Sequence, residues 1–128
     1  HPSVCDFYPK VLESPEYAAA RDFLLDSVNF YHANKDFLFS GKMLPPDGFI
    51  CDETEVDFHG RMIFTKRDAA RKITKQMPSV MHSVWENAKG EKALILANYT
   101  RLARKWSFNG ISGEIPPRSF EKIELCSR

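Results

Sequence analysis

The fold is decided by residues 79–99, SVMHSVWENAKGEKALILANY. Its first eight residues alternate. Val80, His82 and Val84 fall on one side and Met81, Ser83 and Trp85 on the other, the period of a half-buried strand. Asn87-Ala88-Lys89-Gly90 is a turn, and Ala93–Tyr99 (ALILANY) is apolar almost throughout. Two such runs joined by a Gly-containing turn predict an antiparallel hairpin.

Further β signals follow this hairpin. Ala103–Phe108 (ARKWSF) predicts a third strand, with Asn109-Gly110 after it as a tight turn. Pro116-Pro117 breaks the chain, and Ser119–Leu125 (SFEKIEL) alternates Phe120, Lys122 and Glu124 against Glu121, Ile123 and Leu125, so it predicts a last strand. Upstream, Pro45-Pro46-Asp47-Gly48 is a turn cluster. Val56, Phe58 and Met62-Ile63-Phe64 read as strand pieces around a turn at Gly60. Residues 65–76 (TKRDAARKITKQ) lack a continuous apolar face and read as a loop, with a helical turn at the centre or a strand starting at Ile73 as the alternatives.

The N-terminal part has the helical period instead. Ser14-Pro15-Glu16 has the composition of a helix start, with Ser as cap, Pro in the first turn and Glu at the positive end of the dipole. From Tyr17 to about Asn34, Ala20, Phe23, Leu24, Ser27, Val28 and Tyr31 recur at three- and four-residue steps. The reading is therefore a mainly β chain, an antiparallel β-sandwich preceded by one long N-terminal α-helix. Residues 1–36 form an irregular segment plus the helix, and residues 37–128 form the sandwich.

Composition narrows the function classes. A chain of 128 residues with 43% hydrophobic and 27% charged residues can build one ordinary globular core. The 18 basic and 17 acidic side chains leave a formal charge of +1, which gives no electrostatic reason to expect a nucleic-acid or anionic-membrane partner. Cys5, Cys51 and Cys126 are odd in number and far apart, which speaks against a disulfide framework or a zinc site and favours a reducing, cytoplasmic setting. No apolar run reaches the roughly 20 residues that span a bilayer, and the pattern of a signal peptide is missing. The start at His1 rather than Met suggests excision from a longer polypeptide.

No complete catalytic site emerges. The nearest carboxylate group is Asp52, Glu53, Glu55 and Asp57, which reads as a turn followed by a solvated strand face. His1, His32, His59 and His82 show no metal-clip spacing, so neither a metal nor a cofactor is expected, and His82 reads as a half-buried core histidine. A Cys51–His59 pair is suggested by residue type alone. The basic stretch Lys66, Arg67, Arg71, Lys72, Lys75 has no interleaved aromatic platform and reads as solvated. Trp85, Tyr99 and Trp106 are the candidate sugar-stacking rings, although the same positions also fill a sandwich core. Asn98-Tyr99-Thr100 has the form of a glycosylation acceptor, but it ends a strand expected to be buried.

Two phrases carry a resemblance. FYHANKDFLFSGKMLPP (30–46) resembles the last helix of a (β/α)₈-barrel glycoside hydrolase running into its C-terminal domain. PSVMHSVWENAKGEKALILANYT (78–100) is similar to the β-sandwich of such domains, where a strand ending in Trp meets a Gly turn and then a strand ending in Asn. The resemblance covers roughly residues 15–125. It implies a non-catalytic accessory domain whose partner is an upstream catalytic barrel of the same parent chain. Eight βα units need about 250 residues, so the catalytic carboxylates would lie outside this sequence. If HPSVCDFY were the loop after the last barrel strand, His1 or Asp6 would rim the cleft. An independent carbohydrate- or protein-binding β module is the alternative. An accessory piece should carry an exposed apolar patch, expected around Phe7, Tyr8, Phe23 and Phe30.

Overall fold

A computed structural model describes residues 13–60 and 71–125. A 3-10 turn, Pro15–Tyr17, leads into helix α1 (Ala18–Ala33) and a short helical turn, α2 (Lys35–Leu38). The strands follow: β1 (Lys42–Leu44), β2 (Phe49–Cys51), β3 (Glu53–Gly60), β4 (Arg71–Pro78), β5 (Val80–Glu86), β6 (Lys92–Asn98), β7 (Arg104–Phe108), β8 (Ile111–Ile115) and β9 (Ser119–Leu125). All their pairings are antiparallel. One sheet has the order β1-β5-β6-β9, a second β2-β7-β8, and β3 and β4 form a two-stranded ribbon. The chain is thus mainly β, sandwich-like, with one long N-terminal helix.

The inner strand β6 is buried on both its faces, which explains why it is apolar at nearly every position. Leu94 and Leu96 point inward, with Val80 and Val84, against Trp106, Phe108 and Ile115 of the three-stranded sheet. Ala93 and Ile95 point outward and pack with Phe37 of α2. α1 lies on the same outer face, where Phe23 and Phe30 stack on Phe120 at centroid distances of 4.9 and 5.6 Å. Ser14 makes no side-chain cap. Its carbonyl accepts the Tyr17 N–H instead, closing the 3-10 turn. Buried Asn34 ends α1, donating its side-chain amide to the Phe30 carbonyl at 2.9 Å.

The turns use the residues their conformations require. Asn109 and Gly110 both have positive φ, 47° and 86°, as a two-residue hairpin demands. Gly41 is glycine because of a close approach: a Cβ there would collide with the Phe37 carbonyl oxygen and lie 2.9 Å from that of Glu86. Both atoms are backbone and cannot step aside. Gly41→Ala is therefore expected to lower unfolding free energy by about 2 kcal/mol or more, measured by urea denaturation.

The β3–β4 ribbon changes the reading of residues 71–76, which form a strand and not a loop. The strand is held by its partner and not by an apolar face of its own. Asp57 on β3 accepts from the Thr74 hydroxyl at 2.7 Å and pairs with Lys72 at 2.9 Å. β2 leads into β3 and β4 into β5, and the crossing point is tied by the Ser79 N–H donating to the Asp52 carbonyl at 2.8 Å. Phe58 and Ile73, direct cross-strand partners, both remain exposed. The expected strand piece Met62–Phe64 and the remainder of the basic stretch lie outside the described residues. β1, β2 and β8 are three to five residues each, too short for the sequence pattern to mark them.

Candidate interaction surface

The three candidate sugar-stacking rings do not share a surface. Trp106, on the middle strand of its sheet, is 6% exposed inside the sandwich, and its indole lies across Gly113, its cross-strand partner. Trp85 is half-buried on the outer face of the other sheet and donates its indole N–H to the Ser83 hydroxyl at 2.8 Å. Tyr99 sits at the root of the ribbon, its hydroxyl donating to the Pro78 carbonyl at 2.6 Å. Burial pushes its phenol pKa up. Cys51 nearby adds to the rise and Arg104 opposes it. At the same root Arg104 donates to the hydroxyls of Thr100 at 3.0 Å and Thr54 at 3.4 Å.

Of the polar residues singled out in the sequence, Asp57 and Asn98 are used for structure. Glu53, Glu55 and Asp57 alternate onto one face of β3, and Asp57 is committed to β4. Among the described residues no group of three His, Cys, Asp or Glu is placed to hold a metal ion. No described helix is long and apolar enough to cross a membrane. Asn98 is fully buried, and its amide nitrogen donates to the carbonyls of Leu102, Ile115 and Pro116. The enclosed nitrogen has no room for an oligosaccharide, whose attachment would remove one of its two hydrogens and displace these carbonyls, so the sequon is closed in the folded state.

His82 packs flat on Phe49, with ring centroids 3.9 Å apart, and so joins the two sheets. Desolvation lowers its pKa, and a hydrogen bond to the Pro46 backbone partly offsets this. The unfolded chain therefore binds the proton more readily than the folded one. Stability is complete above the ordinary imidazole value of about 6.5 and declines as pH falls through it. Comparing urea midpoints at pH 7.5 and pH 5.5 tests this: His82→Phe should weaken the loss on acidification.

Some of the apolar surface left open among the described residues is on the outer face of the four-stranded sheet. Met43 on β1 lies directly opposite Trp85 on β5, and Met81 is on the same side of β5. Met43 is 60% and Met81 46% exposed. Phe39, just after α2 in the same layer, is 76% exposed. Phe23 and Phe30, expected to form the patch, are instead turned onto Phe120, and Phe7 and Tyr8 lie outside the described residues. No residue of α1 is fully buried. Sequence periodicity could mark Met81 and Trp85 as sharing a face. It could not show that the helical layer leaves that face half uncovered.

These features define an antiparallel sandwich with a helical layer on one sheet and an open apolar strip beside that layer. No protein family matches the chain, and neither a curated protein nor a solved structure matches it significantly.

Proposed function

We propose that this chain is a non-catalytic accessory domain of a larger, glycosidase-like protein, packed against an upstream catalytic barrel of the same parent chain. The observation that carries the reading is the open strip of Met43, Met81 and Trp85 beside a helix with no fully buried residue. Apolar side chains grouped on one sheet face are the usual mark of a surface that meets another protein surface. The phrases at 30–46 and 78–100 supply the kind of parent. A free-standing sugar-binding module has less support, because Trp106 is enclosed and Tyr99 is tied to Pro78.

The test is the mass of the native polypeptide in its source cells, detected with an antibody to this domain. A product longer than 128 residues by a barrel's worth, about 250 residues, supports the proposal. A native product of this length alone overturns it. On the isolated chain, Met43→Glu with Met81→Glu should reduce binding of an apolar fluorescent dye while leaving the unfolding free energy within about 0.5 kcal/mol of the parent's.

A further inference from the structure

Asn109-Gly110 is the only Asn-Gly pair in the chain; the other asparagines precede Phe30, Lys35, Ala88 and Tyr99. The pair makes up the whole turn between β7 and β8, because Phe108 and Ile111 on either side are direct cross-strand partners. Both residues are exposed, and both hold positive φ, 47° and 86°. Gly110 lies beyond the last paired residues, and its N–H has no backbone acceptor among the described residues. The Asn109 side chain reaches across to the turn between β1 and β2. Its amide nitrogen donates to the Asp47 carbonyl at 3.5 Å, and its oxygen covers Gly48, where a Cβ would collide with it. A hydrogen bond of that length is weak. The side-chain amides of Asn34, Asn87 and Asn98 are held more closely, at 2.9, 2.6 and 2.8 Å.

We infer that Asn109 is a site of spontaneous modification, losing its side-chain amide to attack by the Gly110 nitrogen, and that the loss uncouples the two turns. In most Asn-X pairs the Cβ of X crowds that nitrogen. Gly110 has none, and even a Cβ built there would meet nothing within 4 Å, so the approach is open. The nitrogen gives up its proton and bonds to Cγ of Asn109, the Cγ–Nδ2 bond breaks, and ammonia leaves with the proton. Water then opens the cyclic imide. Opening at Cγ leaves an aspartate, whose carboxylate faces the Asp47 carbonyl with no hydrogen to donate. Opening at the backbone carbonyl leaves an isoaspartyl link, which adds a methylene to a main chain that the two-residue turn holds in one conformation. Either product loses the contact with Asp47. Ring closure needs the side chain to leave Asp47 and the turn to open, a local motion at a hairpin tip that leaves the core folded. The turn belongs to the three-stranded sheet, and the inference stands independently of the accessory-domain proposal.

The full chain is held folded in warm, mildly alkaline buffer, digested, and followed by mass spectrometry. The peptide carrying residue 109 should exchange NH₂ for OH roughly tenfold faster than those carrying the other asparagines, and part of the product should be isoaspartyl. Asp47-Gly48 forms the same imide with no change of mass, so the mass reports on asparagine alone. Asn109→Asp, which makes one product directly, should unfold at a lower urea concentration than the parent chain. Modification no faster at 109 than at the other asparagines, or seen only once urea has unfolded the chain, would mean that the turn protects its own amide and would overturn the inference. An Asn109→Asp midpoint equal to the parent's would overturn the uncoupling.

Discussion

Asn98→Ala is expected to lower the unfolding free energy by about 3 kcal/mol and Tm by roughly 10 °C. The side chain is wholly enclosed at the end of β6 and makes contacts in every direction. Its amide nitrogen donates to the carbonyls of Leu102 at 2.8 Å, Pro116 at 2.9 Å and Ile115 at 3.2 Å. Its oxygen accepts the Thr100 N–H at 2.9 Å and the Thr100 hydroxyl at 2.8 Å. One residue therefore ties the β6–β7 turn to the corner between β8 and β9. Alanine leaves those backbone groups without the partner that Asn98 supplies, and water has little access to replace it. Asn98→Asp should cost more than alanine, because it sets a carboxylate against three carbonyl oxygens in a dry site. Urea unfolding at pH 7 checks both. A loss below about 1 kcal/mol for the alanine variant would mean that the corner is held without Asn98.

The sequence marks this residue, yet for another reason. Asn98-Tyr99-Thr100 has the spacing of a glycosylation acceptor, and its position at the end of an apolar strand argues for burial. What periodicity cannot supply is the identity of its partners, which lie up to 18 residues away on other elements. The same division runs through the fold. The β5–β6 hairpin and β9 are legible because each alternates or is continuously apolar between clear turns. β1 and β2 are three residues each, too short for a period to register, and exist because β5 and β7 offer them an edge. β4 is hidden because Lys72, Thr74 and Gln76 give it no apolar face, and it is fixed by β3 opposite. Among the aromatics, Trp85 and Trp106 look alike in sequence. Only the pairing of the strands puts one on an outer face and the other between two sheets.

That difference makes the second large effect specific. Trp106→Ala should cost about 3–5 kcal/mol, the range for emptying an aromatic site in a core. Trp85→Ala should cost roughly 1–2 kcal/mol, because its ring is already half in water. Trp106→Phe should cost less than Trp106→Ala: it keeps most of the apolar ring and removes a buried indole N–H that has no hydrogen-bond partner among the described residues. The ring's position is also coupled to Gly113, where a Cβ would lie 3.0 Å from Cζ2 of Trp106. Gly113→Ala is therefore expected to destabilise the parent by about 1–2 kcal/mol, and to cost less once Trp106 is Phe, whose smaller ring leaves room for the methyl group. A double-mutant cycle measures that coupling. Fluorescence gives an independent check: with Trp85→Phe in place, the remaining emission comes from Trp106 and should be blue-shifted and resistant to acrylamide quenching. If it is readily quenched, or if Trp106→Ala is as mild as Trp85→Ala, the ring is not a core residue and must be reconsidered as a stacking platform for sugar.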